Sequence, residues 1–463
     1  MEAVKVEQHV NKEEKRSHQK KKASFYQTVW RWHFYAGIIF APFLLILAFS
    51  GGVYLFKPQI ETMLYQDMYY VEAQSTAMAP TELVNNVTEA NPRGTVTSIR
   101  FYDDPTRTVE IGLMENEQLS SVFVNPYSGS IVGSLNNEEK FTEIFKKLHS
   151  ELIVGGTVAN RLVELAACWA VILLLTGLYI WWPRKKASIF GTVIPRFKSK
   201  GRTFWRDLHA VPAFWLSIFI VILIATGLPW SGVMGEQINR VATSTNTGYP
   251  PFTFGEKPDS LTLTKDVAED IPWAAENVSV PESALSGYVP LALEEMTALA
   301  NEESIEKPYT ISMPQGETGV YTVSTSHTKP GDNATLHVDQ YSGEILADVR
   351  FSDYGVMAKG ITLGIALHEG RLFGLMNQII GLIVCIGLIG VVISSFIMWR
   401  KRKPTGHSGA PRSSIDKRTT RTVFAIMIVL GVIMPLVGLS IIIVYLLDKF
   451  IFPLVTPLKA WIH

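Results

Sequence analysis

The sequence predicts a mainly α-helical membrane protein: tandem two-helix repeats forming a four-helix core, one extra C-terminal helix, and two α+β domains outside the bilayer. Three observations predict it. Five stretches of the 463-residue chain are long and apolar enough to cross a bilayer, which takes about 20 helical residues. Lys and Arg gather in alternate connections between those stretches, and the long connections repeat internally. The formal net charge is zero, so a nucleic-acid partner has no global electrostatic support. Cys168 and Cys385 both lie in apolar runs and read as small buried hydrophobes, not as a disulfide or a thiolate cluster.

The elements follow in order. Residues 1–34 form a basic tail with Lys5, Lys12, Lys15, Arg16, Lys20, Lys21, Lys22 and Arg31. Residues 35–56 are the first span; Ser50-Gly51-Gly52 runs on into Val53, Tyr54 and Leu55, so the segment reads as an uncleaved anchor. Residues 57–147 form the first α+β domain, and 148–182 a His-bearing approach and the second span. A basic loop at 183–212 precedes the third span at 213–230, the second α+β domain at 231–364, and another His-bearing approach with the fourth span at 365–399. A basic loop at 400–422, a fifth span at 423–447 and a tail at 448–463 complete the chain. The positive-inside rule puts the N-terminal tail and both basic loops in the cytoplasm, and both α+β domains and the C-terminal tail outside. Trp30, Trp32, Trp181, Trp182, Trp230 and Trp399 mark the span ends, where an amphipathic ring favours the interface.

The repeat sets the architecture. Val124-Asn-Pro-Tyr127-Ser128-Gly129-Ser-Ile131 matches Val338-Asp-Gln-Tyr341-Ser342-Gly343-Glu-Ile345. Upstream of each, a helix-like run (81–90, 291–300) precedes three strand-like runs: 95–101, 108–113 and 120–124 in one half, and 309–313, 320–324 and 335–338 in the other. Tyr-Ser-Gly is the turn to a further strand. In the spans, His33 lies 17 residues before Ser50 and His209 lies 17 before Thr226. His149 lies 32 residues before Trp181, and His368 lies 31 before Trp399. A span–domain–span unit used twice in one orientation implies a pseudo-two-fold axis along the membrane normal, with the fifth span unpartnered.

These residues carry a family resemblance. The paired Tyr-Ser-Gly domains resemble PepSY domains. Trp32-His33-Phe-Tyr-Ala-Gly37, Leu148-His149, Leu367-His368 and Tyr179-Ile-Trp181-Trp182-Pro183-Arg184 resemble the PepSY-associated transmembrane family over about residues 25–403. That family includes iron-regulated inner-membrane proteins and ferric-siderophore reductases. The resemblance implies a bacterial plasma-membrane haem reductase of iron carriers.

Electron-transfer haem needs two axial ligands, and imidazole is the usual nitrogen donor. Of ten histidines, four sit at span ends in repeat-equivalent places. His33 and His209 fall at the cytoplasmic ends of outward-going helices, and His149 and His368 at the outer ends of inward-going ones. The expectation is two haem b groups, one held by His33 and His209 and one by His149 and His368. The bland reading of the same four is interfacial capping and headgroup contact. Gly155-Gly156 after His149 suggests that this residue rides a separate short helix. Arg371, three residues after His368, would share its helical face and could pair with a haem propionate, or anchor the interface. Arg161 has the same two readings, and Arg31, Trp205 and Arg206 are weaker partners for the inner haem. His327 and His337 read as surface residues, and His9, His18, His407 and His463 receive no role.

No zinc-protease motif, phosphate-binding glycine loop or dinucleotide fingerprint is present, so electrons must come from a quinol or a soluble cytoplasmic donor. The expected partners are the lipid bilayer, that donor and an extracytoplasmic iron complex such as a ferric siderophore. Two readings compete: a transporter for iron or an iron chelate, and a regulatory or protease-inhibitory membrane protein without redox activity.

Overall fold

The computed structural model describes residues 2–184, 188–248, 262–283, 289–325, 329–402, 409–410 and 417–451. The chain begins with α1 (Glu2–Tyr54), α2 (Lys57–Leu64), α3 (Gln66–Tyr69) and α4 (Pro80–Ala90). Four strands follow: β1 (Thr95–Phe101), β2 (Val109–Glu115), β3 (Gln118–Val124) and β4 (Ile131–Asn136). Next come α5 (Phe141–Glu151), α6 (Gly156–Trp181), α7 (Gly201–Gly227), α8 (Val233–Ser244), the single turn α9 (Thr264–Val267) and α10 (Leu293–Glu302). The strands β5 (Tyr309–Ser312), β6 (Val320–Thr325), β7 (Ala334–Asp339) and β8 (Ile345–Arg350) lead to α11 (Val356–His368), α12 (Leu375–Arg402), α13 (Lys417–Ile433) and α14 (Pro435–Leu446). The chain divides into a helical unit (1–52, 147–236, 382–463) and a sheet unit (53–146, 237–381).

In the sheet unit, both Tyr-Ser-Gly steps make the same turn. Asn125 Oδ1 accepts the Tyr127 and Ser128 amides, as Asp339 Oδ1 accepts those of Tyr341 and Ser342. Gly129 and Gly343 then take φ of +68° and +75°, a region where a Cβ is penalised. The two four-stranded meanders are not separate domains. They join edge to edge through β1 and β5 into one antiparallel sheet, ordered β4-β3-β2-β1-β5-β6-β7-β8. Across that seam Ile99 faces Ile311 and Phe101 faces Tyr309. One face packs on α4 and α10, with Leu83, Val87, Leu293 and Met296 against Ile99, Ile111, Ile311 and Leu336. The opposite face is lined with hydroxyls, including Ser98, Thr310, Thr322 and Ser324, all buried.

His337 corrects the surface reading. Strand alternation does turn it away from Leu336 and Val338, but towards Thr264 rather than solvent. Its ring is fully buried between Thr322 Oγ1 (3.0 Å from Nδ1) and Thr264 Oγ1 (3.2 Å from Nε2). His327 lies outside the described residues.

Among the described residues, Phe25–Tyr54, Gly156–Trp181, Gly201–Trp230 and Leu375–Arg402 are long and apolar enough to cross a membrane. Leu44, Ala170, Ile224 and Val392 bring these four helices into one cluster. The basic tail is not a separate segment, because α1 runs unbroken from Glu2.

The fifth span is also corrected. Residues 423–447 form no single helix but parts of α13 and α14, separated at Met434. Pro435 lacks an N–H and its ring obstructs the carbonyl four residues back, which favours a break at this point. The backbones of Gly431 and Gly438 then meet: a Cβ on Gly431 would lie 2.8 Å from the Gly438 Cα. Seven residues apart in a straight helix they would be about 10 Å distant, so the chain turns back on itself. Val437 of the returning arm is buried among Ala36, Phe40, Ala166 and Trp169, and Trp169 Nε1 donates to Ser440 Oγ at 3.1 Å.

Candidate functional site

His33 on α1 and His209 on α7 lie ring to ring, with centroids 6.3 Å apart and planes 74° apart. Each ring is fixed through Nδ1. His209 Nδ1 lies 2.9 Å from the Val391 carbonyl, which can only accept, so the proton is on Nδ1 and the lone pair on Nε2. His33 Nδ1 lies 2.9 Å from Thr176 Oγ1. That hydroxyl donates to the Ile172 carbonyl at 2.6 Å, which leaves its oxygen to accept from His33 and assigns the same tautomer.

His149 sits near the end of α5, a helix distinct from α6, as Gly155-Gly156 suggested. It follows the same rule: its Nδ1 lies 3.0 Å from the Leu47 carbonyl and 3.1 Å from Ser50 Oγ. The turns beside these three rings share one construction with a fourth turn, at Thr226. Ser50, Thr176, Thr226 and Ser394 each donate to the carbonyl three residues back, those of Leu47, Leu173, Leu223 and Val391. Glycine makes room beside two of the rings. A Cβ on Gly177 would stand 3.2 Å from His33 Cε1, and one on Gly51 would stand 3.0 Å from His149 Cε1.

The arrangement suits bis-imidazole ligation. One metal ion between two imidazole Nε2 atoms, at about 2 Å from each, puts the ring centroids roughly 6 Å apart. Among the described residues, no group of three or more His, Cys, Asp or Glu is placed to hold a metal ion. A haem needs no such group, because the porphyrin supplies four nitrogens and the protein only the axial pair. An Nδ1–H tied to a carbonyl or hydroxyl is also what orients a metal-bound histidine and raises its basicity.

His368 is the last residue of α11, in the sheet unit. Arg371 does not share its helical face. Gly370, at φ +75°, ends the helix, and the Arg371 amide donates back to Ala366 in the closing turn. The Arg371 guanidinium donates through Nε to Glu369 at 2.6 Å.

The other arginines offered for propionates are also engaged. Glu164, almost wholly buried, accepts the Val233 and Met234 amides at the start of α8 and draws Arg161 to 3.7 Å. Asp207, equally buried, accepts from Arg206 and from three donors of Arg196. Arg31 lies over the Tyr35 ring and Trp205 packs edge-on to Phe204.

Sequence reasoning missed the hydroxyl turns as histidine partners. Their signal was present, since the 17-residue spacings end on Ser50 and Thr226. No sequence signal picks out the Val391 carbonyl.

A model of the family described as PepSY-associated TM region matches residues 30–402. No curated protein matches the chain.

Proposed function

The chain belongs to the PepSY-associated TM region family, and from that premise we propose that it is a transmembrane di-haem b electron-transfer protein. It takes electrons from a cytoplasmic or quinol donor and reduces an extracytoplasmic iron complex, a ferric siderophore, for iron acquisition across a bacterial plasma membrane. The observation that supports this most is the His33–His209 pair, with rings 6.3 Å apart and each Nδ1 tied to a neighbouring helix. Haem, when bound, supplies a one-electron redox centre. His33 and His209 would hold one such group near the cytoplasmic side, and His149 and His368 would hold the other near the outer side. Thr176, Val391 and Leu47 fix ring orientation and tautomer, so each Nε2 presents its lone pair. Arg371 is the proposed propionate partner at the outer group, sharing its guanidinium with Glu369. Overall, one quinol yields two electrons and two protons and reduces two ferric ions to ferrous. Ferrous iron binds hard-oxygen chelators less tightly, so the metal is released.

The test is the visible spectrum and haem content of the purified full chain, oxidised and then dithionite-reduced. Wild type should carry two bis-histidine haems with a sharp reduced α-band. His33→Ala or His209→Ala should remove one haem, and His149→Ala or His368→Ala the other. Loss of the same haem in His33→Ala and His149→Ala overturns the pairing, and a wild type without haem overturns the proposal. For the acceptor, ferric siderophores should reoxidise pre-reduced protein in stopped-flow mixing, with a strong slowing in His368→Ala. Reoxidation by oxygen or a quinone but by no iron complex would leave electron transfer standing and remove the siderophore.

A further inference from the structure

The loop between α6 and α7 carries apolar side chains that no described residue covers. Ile189, Phe190 and Phe197 are 65%, 60% and 67% exposed, and Ile194 is exposed beside them. Lys198 and Lys200 follow at once, also exposed. The loop backbone, by contrast, is well satisfied. The Ile189 carbonyl receives the Val193 and Ile194 amides at 2.9 and 3.1 Å, and Gly191 N–H donates to the Ile194 carbonyl. The Thr192 and Val193 carbonyls accept the indole N–H groups of Trp181 and Trp215, at 3.1 and 3.0 Å. Polar backbone turned inward and apolar side chains turned outward suit a lipid environment and are costly in water.

Depth is set by the two tryptophans. Trp181 ends α6, and Trp215 lies within the apolar part of α7, itself 57% exposed on the surface that lipid would wet. Asp207 fastens the far end of the loop to α7 through Arg196, so the tip is held against the span. We propose that residues 188–200 are an interfacial anchor. Ile189, Phe190, Ile194 and Phe197 enter the adjoining leaflet, and Lys198 and Lys200 bind the phosphate of anionic phospholipids. Lipid is favoured over a protein partner because the apolar tip is continuous with a lipid-facing span and ends in paired basic residues. This inference does not depend on the haem proposal.

The experiment uses the full chain in nanodiscs, in a Cys168→Ala, Cys385→Ala background. Phe190→Cys and Phe197→Cys, prepared separately, carry an environment-sensitive fluorophore, with Glu117→Cys in the sheet unit as the aqueous control. Labels at 190 and 197 should emit as in an apolar medium and be quenched by lipids spin-labelled near the headgroup; the label at 117 should not. Emission as in water overturns insertion. Apolar emission that lipid spin labels do not quench means protein covers the tip, and equally overturns it. Spin-labelled phosphatidylglycerol should associate more tightly than phosphatidylcholine, with the preference falling about fivefold for each of Lys198→Ala and Lys200→Ala. An unchanged preference in the double variant overturns the headgroup assignment.

Discussion

At the scale of single residues, a histidine means what its two nitrogens touch. His33, His209 and His149 each commit Nδ1 to a carbonyl or hydroxyl of a neighbouring helix turn. His337 commits both nitrogens to threonines. The first pattern is the one a metal ligand requires and the second suits a buried structural residue, and both look alike in a sequence. Burial lowers the His337 pKa from 6.5 to about 4. The unfolded chain therefore binds the proton first as pH falls. Stability from this residue is complete above about pH 6.5 and drains away between there and pH 4, by at most about 3 kcal/mol. Hydrogen exchange of β6 and β7 amides in the full chain should speed up across that window, and His337→Gln should flatten the response. An unchanged pH response in His337→Gln would assign it to another group.

At the scale of elements, the strands and spans were legible because their periodicity is local. Six of the eight strands (β1–β3 and β5–β7) and the helices α4 and α10 lie where alternation puts them, and β4 and β8 follow the repeated turn phrase without having been given bounds. What was not legible depends on a single interruption or on a distant partner. Arg371 follows His368 by three residues, a helical spacing, yet Gly370 ends the helix between them. Residues 423–447 have the length and hydropathy of a span, but Pro435 and the Gly431–Gly438 contact turn them into a hairpin. Its arms, of 17 and 12 residues, rise about 25 and 18 Å, short of a bilayer core of about 30 Å. Reporters inserted after Ala410 and after Ile451 should therefore give signals from the same side of the membrane. Opposite signals would restore a crossing.

At the scale of the whole molecule, the sequence suggested two small domains, and the structure joins them in one sheet. Nothing in a strand's own residues names its neighbour across a seam, so β1 pairing with β5 could not be read from the chain. The candidate site divides the same way. The equivalent placing of four histidines could be read from the repeat, whereas the Val391 and Leu47 carbonyls beside His209 and His149 could not. The seam should make the two meanders unfold together. Ile99 and Ile311 face each other there, both fully buried, and Ile311→Ala should cost about 2–5 kcal/mol. Amides of β2–β4 and of β6–β8 should lose protection in parallel; loss in one half alone would mean that the halves are independent.

The hairpin has a consequence for biogenesis. α13 and α14 emerge from the ribosome only after residues 1–402. Their destination, the surface of α1 and α6 around Trp169, is by then already made. Docking thus follows synthesis of the four long helices, and a chain cut before Lys417 leaves the Trp169 indole N–H without the Ser440 acceptor.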